Sequence, residues 1–224
     1  MFNNIAHSYD TLNHTLSFGI DKIWRRRVIK PLPKDLRDPL ILDIATGTGD
    51  LAILTARKLP HASIIGCDIS EKMMEIGKEK IKAAALQDRI RLQYEDCAHM
   101  SFADDSFHAV ISAFALRNFE NLDSCLKEMH RVLKPGGVIS IIDLCTPVSF
   151  PMKQLFWIYK RVVMPLIGRL ISHDNLAYTY LPATMDAVPQ AEAMTEIIRQ
   201  AGFKDPHYKR LPFGMCIHYT AYKA

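Results

Sequence analysis

The chain has 224 residues, 49% of them apolar and 23% charged, with a formal net charge of +4. This is the balance of one ordinary globular domain rather than a disordered chain, and the positive excess is too small and too undivided to leave a nucleic-acid footprint. The five cysteines (Cys67, Cys97, Cys125, Cys145 and Cys216) are odd in number and show no C-x-x-C spacing, which argues against a disulfide framework or a zinc site.

Residues up to about Leu36 read as helical, with Ile20, Ile23, Trp24 and Val28 at near-helical spacing, until Pro31, Pro33 and Pro39 break the pattern. The basic stretch Trp24–Arg27, with Lys22 and Lys30 beside it, reads as a solvated helix face or as a contact for acidic headgroups. Leu40 to Ala45 is a buried strand and Ala52 to Leu59 a helix closed by Pro60. Ser63 to Asp68 is a second strand, and Ser70 caps the helix that follows. Strands are expected at Ile90–Tyr94, His108–Phe114 and Val138–Leu144, with a helix over Leu122–Leu133. Strands alternating with helices predict an α/β fold with a parallel sheet covered on both faces. The last third predicts an aromatic helix from Pro151 to Ile171 interrupted by Pro165, a helix from Ala191 to Ala201, and a closing hairpin (Pro206–Leu211 and Met215–Tyr222) that makes the sheet mixed.

The first strand runs into Gly47-Thr48-Gly49-Asp50-Leu51-Ala52, which fits the dinucleotide-binding pattern G-x-G-x-x-A. Gly47 and Gly49 supply backbone freedom for close approach, and Asp68, with Ile69 next to it, ends the second strand where an acid can accept ribose hydroxyls. These features fit NAD and S-adenosylmethionine equally. Asp43, just before the loop, separates them, because a carboxylate there repels a pyrophosphate and suits a sulfonium or ammonium group. Asp96 and Cys97 end the third strand, within reach of an adenine. Arg131-Val-Leu-Lys-Pro-Gly-Gly137 reads as a helix stop and turn.

The order and spacing of LDIATGTGD, GCDIS, Asp96 and RVLKPGG resemble the class I S-adenosylmethionine-dependent methyltransferases. Phe2–Arg27, Phe114–Gly137, Pro165–Pro182 and the C-terminal HYTAYK are similar to the quinone-biosynthesis C-methyltransferases, a likeness that runs from Phe2 to Lys223. The resemblance implies a Rossmann-like fold with a mostly parallel seven-stranded sheet and a C-terminal antiparallel hairpin. It also implies one domain over 1–224, with a helical lid over 1–36 and a substrate- or membrane-facing insertion over 145–190. Methyl-donor contacts carry over to Thr48, Asp68, Asp96 and Cys97; Ala113 stands where many relatives have serine, and Thr46 and Ala115 stand where they often have glycine. The implied reaction is ring C-methylation of demethylmenaquinol, with S-adenosyl-L-homocysteine as co-product. The alternatives are the benzoquinol precursor of ubiquinone and a catalytically silent cofactor-binding scaffold. A homodimer is implied by the resemblance alone.

A hydroquinone ring becomes nucleophilic at carbon when a neighbouring hydroxyl loses its proton, so the reduced acceptor is the expected substrate. Arg117, with Asn118, follows the fourth strand, and a guanidinium is a poor base but a good partner for phenolate. Arg117, Asn118 and Tyr9 are therefore the candidate catalytic residues. His14 is a candidate acceptor-side residue and proton acceptor on the same helix face as His7, and Tyr178 and Tyr180 are candidate acceptor-pocket residues, with core packing as the alternative for the two tyrosines. MFNNIAHSYD lacks the pattern of a secretory signal, and no apolar run approaches the roughly 18 residues of a membrane span. A cytoplasmic protein is expected, peripheral at the inner face of the cytoplasmic membrane through the basic, aromatic segment 152–171.

Overall fold

The computed structural model describes residues 10–163 (apart from 12 and 16) and 184–224 (apart from 186). Tyr9, Tyr178 and Tyr180, with His7 and Pro165, lie outside the described residues. The elements in chain order are α1 (Asp21–Val28), β1 (Leu40–Ile44), α2 (Asp50–Lys58), β2 (Ser63–Asp68), α3 (Glu71–Ala83), β3 (Ile90–Tyr94), β4 (Phe107–Ala113), α4 (Leu122–Val132), β5 (Leu133–Leu144), α5 (Met152–Ile158), α6 (Glu192–Gln200), β6 (Lys204–Arg210) and β7 (Cys216–Tyr222). The seven strands form one sheet in the order β3-β2-β1-β4-β5-β7-β6. All neighbours are parallel except β7, which runs antiparallel to both β5 and β6. The expected mixed sheet with a C-terminal hairpin is therefore observed.

Alternation along the strands explains why both faces are covered. From β1, Leu42 and Ile44 pack with Leu126 and Met129 of α4 and Ile198 of α6, whereas Ile41 packs with Trp24 and Val28 of α1 and with Ala52 and Ala56 of α2. On β5, Ile139 and Ile141 join the first layer and Val138 and Ile142 the second. Strand order reverses between β1 and β4, and the ends of these two strands open the crevice where an open α/β sheet binds its ligand.

Three expectations need correction. The stretch Leu133–Gly137, expected as a helix stop and turn before a strand at Val138, already belongs to β5, because Leu133 pairs with Phe107 of β4 ahead of a register shift. Helix from the N-terminus to about Leu36 is too long, because α1 ends at Val28; Pro31 disfavours helical backbone at Lys30 and carries no N–H of its own. The aromatic helix of the last third changes character before Pro165: after Ile158 it widens into a π turn over Tyr159–Val163. Ser70 caps α3 as expected, accepting from the Met73 N–H at 3.4 Å.

One buried polar contact ties α1 to the sheet. Ser140 of β5 is fully buried, and its hydroxyl donates to the Val28 carbonyl at 2.7 Å. With its single proton committed, Ser140 Oγ accepts at 2.8 Å from His218 Nε2–H, which fixes that neutral tautomer on His218. Burial, with His207 and Arg27 adding to it, pushes the His218 imidazole down to about 4. The unfolded chain therefore takes up a proton near pH 6.5 that the folded chain refuses until about pH 4, so stability is full above pH 6.5 and is lost as pH falls below it. Chemical denaturation should find about 2 kcal/mol less stability at pH 5 than at pH 7 from this group. His218→Gln, which keeps a donor to Ser140, should remove that increment.

Candidate active site

The glycine turn is held open by its neighbours. Gly49, at φ 78°, occupies the left-handed N-cap of α2, which favours a residue without Cβ. At Gly77 of α3 a Cβ would come within 2.8 Å of Leu92 and 3.3 Å of the Thr48 backbone, so a bare glycine lets α3 lie against the loop. Asp68 then crosses from the end of β2 to the turn. Its Oδ2 accepts from the Gly47 N–H and its Oδ1 from the Ser70 N–H, each at 2.8 Å. Burial raises the Asp68 carboxyl, opposed by the N–H groups of Ser70, Gly47 and Ile69.

A cleft of about 570 Å³ opens beyond these strand ends. Of the expected cofactor contacts, Gly47, Asp68, Ile69, Asp96, Cys97 and Ala113 line it. Asp96 is turned by its own backbone, its Oδ1 accepting from the Ala98 N–H at 2.9 Å. The thiol of Cys97 contacts Cys125, which also lines the cleft, and this contact together with burial drives its pKa up. The thiol stays protonated and serves as a small polarisable wall.

Asp43, Thr48 and Gly49 stand behind the cleft rather than in its lining. The Thr48 hydroxyl donates to Asp10 at 2.8 Å and accepts from Lys80 Nζ at 3.1 Å. Lys80 also reaches Asp10 at 2.9 Å and Asp50, so Thr48 fastens the N-terminal segment to the glycine loop. Asp43 is buried at the root of the loop, where Thr46 donates to it at 2.7 Å. Burial pushes its carboxyl up to about 7, opposed by Thr46 and Arg25. It therefore titrates near neutrality, where a cation bound nearby favours its charged form.

A second, apolar cavity of about 260 Å³ adjoins the cleft. Phe114 lines both spaces, at φ 65°, an uncommon conformation for a residue with a side chain. Its carbonyl accepts from Arg117 Nη1 at 2.7 Å and from Asn118 Nδ2 at 3.4 Å. The expected pair divides accordingly, with Arg117 lining the apolar cavity and Asn118 the cleft. Arg117 is also paired with Asp143, whose Oδ2 accepts from the Arg117 backbone N–H at 3.0 Å.

Four buried side-chain polar atoms lack a partner among the described residues, and three of them, Asn13 Nδ2, Trp24 Nε1 and Arg117 Nε, belong to residues lining this cavity. Orphaned buried donors are rare and need a reason. An apolar space rimmed by donors suits a flat ring carrying oxygen atoms. His14 is not among the lining residues; its Nδ1 lies 2.9 Å from Asp21 Oδ2, and Asp21 does line the cavity.

Asp21, Trp24 and Asp143 escaped the sequence reading. Asp21 looks like any acid in the first turn of a helix, where the helix dipole already accounts for it. Asp143 left a visible signal, an acid within the apolar run VISIIDLC, which a buried strand tolerates only when the charge is paired.

The ubiE/COQ5 methyltransferase family matches residues 1–223. A demethylmenaquinone methyltransferase of Bacteroides fragilis is 52% identical over 223 residues, covering 100% of this chain and 91% of the relative. A ubiquinone/menaquinone biosynthesis C-methyltransferase of Geotalea daltonii is 42% identical over 224 residues, covering 100% and 94%. Among solved structures, a SAM dependent methyltransferase from Aquifex aeolicus shares the fold with a TM-score of 0.65 at 15% identity, covering 89% of each chain. With the open sheet, the Asp68 clasp and a second cavity beside the cleft, these matches make the chain an S-adenosylmethionine-dependent methyltransferase of the ubiE/COQ5 methyltransferase family.

Proposed function

We propose that the protein methylates a ring carbon of demethylmenaquinol, with the methyl donor in the cleft and the naphthoquinol ring in the apolar cavity. The observation that carries this reading is the wall between the two spaces, in which Phe114 faces both and the adjacent residues Arg117 and Asn118 face one each. S-adenosylmethionine, when bound, supplies a methyl group already activated on a sulfonium. Asp68 and Asp96 are placed to take its ribose and adenine ends, and the cleft volume of about 570 Å³ is ample for it. The remaining work of the chain is to position the ring and to steady a phenolate.

Arg117 suits the second task. Asp143 fixes its guanidinium through Nη1 and leaves Nε without a partner at the cavity wall. Asn118, on the donor side of the same turn, steadies the Phe114 carbonyl. An oxidised quinone has no hydroxyl to deprotonate and is electrophilic at the same carbon, so only the reduced acceptor reacts.

The acceptor carries an isoprenoid tail, and the cavity opens beside a surface that suits one. Phe18, Leu155, Trp157, Ile158 and Val162 are exposed large apolar residues. Arg161 lies over the Trp157 ring at 4.4 Å from its centroid, and Lys153 is exposed on the same helix. Apolar residues rimmed by basic ones favour the headgroup region of an anionic bilayer. Among the described residues no helix is long and apolar enough to cross one. The exposed apolar residues and their basic rim support a reading of the protein as peripheral at the inner face of the cytoplasmic membrane.

Purified protein with S-adenosylmethionine and a short-chain demethylmenaquinone should add one ring methyl, read by mass spectrometry, only after reduction by dithionite. Preference for the benzoquinol precursor would move the assignment to the ubiquinone branch. Arg117→Lys, which keeps the charge and loses the planar fork, should lower kcat by about a hundredfold or more with donor affinity unchanged. Asp68→Ala should weaken donor binding about ten- to hundredfold by calorimetry. Replacing Trp157 and Leu155 together by serine should reduce sedimentation with anionic liposomes and leave donor affinity intact; unchanged sedimentation would refute the membrane contact.

A further inference from the structure

The rim of the apolar cavity has an asymmetry that bears on how the acceptor's oxidation state is read. Arg117 Nε and Trp24 Nε1 can only donate hydrogen bonds, and Asn13 Nδ2 is likewise an unpartnered donor. Asp21 is the one carboxylate among the described residues that line the same cavity. It is 2% exposed and begins α1.

Three neighbours hold Asp21 as a carboxylate. Ser17 donates to Oδ1 at 2.8 Å, His14 Nδ1 lies 2.9 Å from Oδ2, and the Arg25 guanidinium pairs with Oδ2. Burial alone would raise this carboxyl; Arg25, Ser17 and His14 outweigh it and leave it below the ordinary range. A carboxylate offers about four acceptor positions, and these three donors leave one on Oδ1 unfilled among the described residues.

Resting on the reading of this cavity as the acceptor site, we propose that Asp21 is the specificity-determining residue that admits the dihydroxy ring and rejects the dione. A ring hydroxyl both donates and accepts, so it satisfies either kind of group. A quinone carbonyl only accepts, so it satisfies Arg117, Trp24 and Asn13 but sets its lone pairs against the Asp21 carboxylate. The donors bind both oxidation states, and among the described lining residues only the carboxylate tells them apart. Selection thus precedes chemistry: the oxidised ring, which cannot be methylated, is kept from occupying the site in a membrane that holds both forms.

The test is calorimetric binding, without oxygen and on protein loaded with S-adenosylhomocysteine so that no turnover occurs. The probes are a mono-prenylated 1,4-dihydroxynaphthalene, its quinone and its dimethyl ether. Wild-type protein should bind the diol at least about tenfold more tightly than the quinone, and the ether, which has no proton to give, no better than the quinone. Asp21→Asn, whose amide can turn an N–H toward a carbonyl, should bring diol and quinone to within about threefold by tightening the quinone, a gain that misfolding cannot produce. Equal binding of diol and quinone by wild-type protein would overturn the proposal, as would an ether bound like the diol or an Asp21→Asn protein with undiminished preference. Failure of wild-type protein to bind any probe would overturn the acceptor-site reading itself, and this proposal with it.

Discussion

The ion pair between Arg117 and Asp143 is the constraint on which the site depends. Asp143 sits 2% exposed near the end of β5, and its carboxylate accepts from the guanidinium and from the backbone N–H groups of Arg117 and Leu144. It thereby joins the turn after β4 to the neighbouring strand. Within that turn the Phe114 N–H donates to the Ile142 carbonyl at 2.8 Å, and the Phe114 carbonyl takes both Arg117 and Asn118. A left-handed phenylalanine persists only where its surroundings over-determine it, and here hydrogen bonds hold both of its peptide groups. Removing one partner of a buried pair costs about 3–5 kcal/mol, while a well-packed apolar replacement of both is often neutral. The pair is therefore better understood as fixing a wall than as adding stability.

A second polar network performs a related task on the opposite side of the glycine loop. Asp21 and Arg25 of α1 meet His14 from the helical residues that precede it and Asp50 from the start of α2, and Lys80 of α3 gathers Asp50, Asp10 and Thr48. Residues from both sides of the glycine loop are thus linked through charge-assisted contacts to a segment that lines the apolar cavity. The apolar part of the same segment is anchored separately, with Trp24 edge-on to Phe114 at 6.3 Å between ring centroids. The N-terminal region consequently touches the glycine loop and the residue that divides the two spaces.

Much of this architecture is legible in the sequence because it rests on local patterns. Short apolar runs located all seven strands, and Ser63–Asp68 and Ile90–Tyr94 fell at the observed bounds, whereas β5 begins at Leu133, five residues before the expected Val138. Glycine spacing and the acid ending β2 located the cleft, because an open parallel sheet leaves few places for a ligand. Less legible was which side chain faces which space. Thr48 belongs to the loop motif yet turns toward Asp10 and Lys80, residues 38 and 32 positions away in the chain. Asp21 carries no local mark distinguishing it from an ordinary helix-start acid, since its significance comes from β4 and α5 packing around it. The widening of the backbone after Ile158 was equally hidden, because π turns have no simple residue signature. Pairings between distant segments create these features, and a periodicity cannot report them.

The chain's two tryptophans occupy optically distinct environments. Trp24 is 3% exposed in the wall of the apolar cavity, against Phe114, with its indole N–H unpartnered among the described residues. Trp157 is 56% exposed on the outer face of α5, beneath the guanidinium of Arg161. Burial keeps water and dissolved quenchers from the first indole, whereas the second is open to both. One unlabelled sample thus carries two native fluorophores, one in the wall of the apolar cavity and the other on the exposed face of α5.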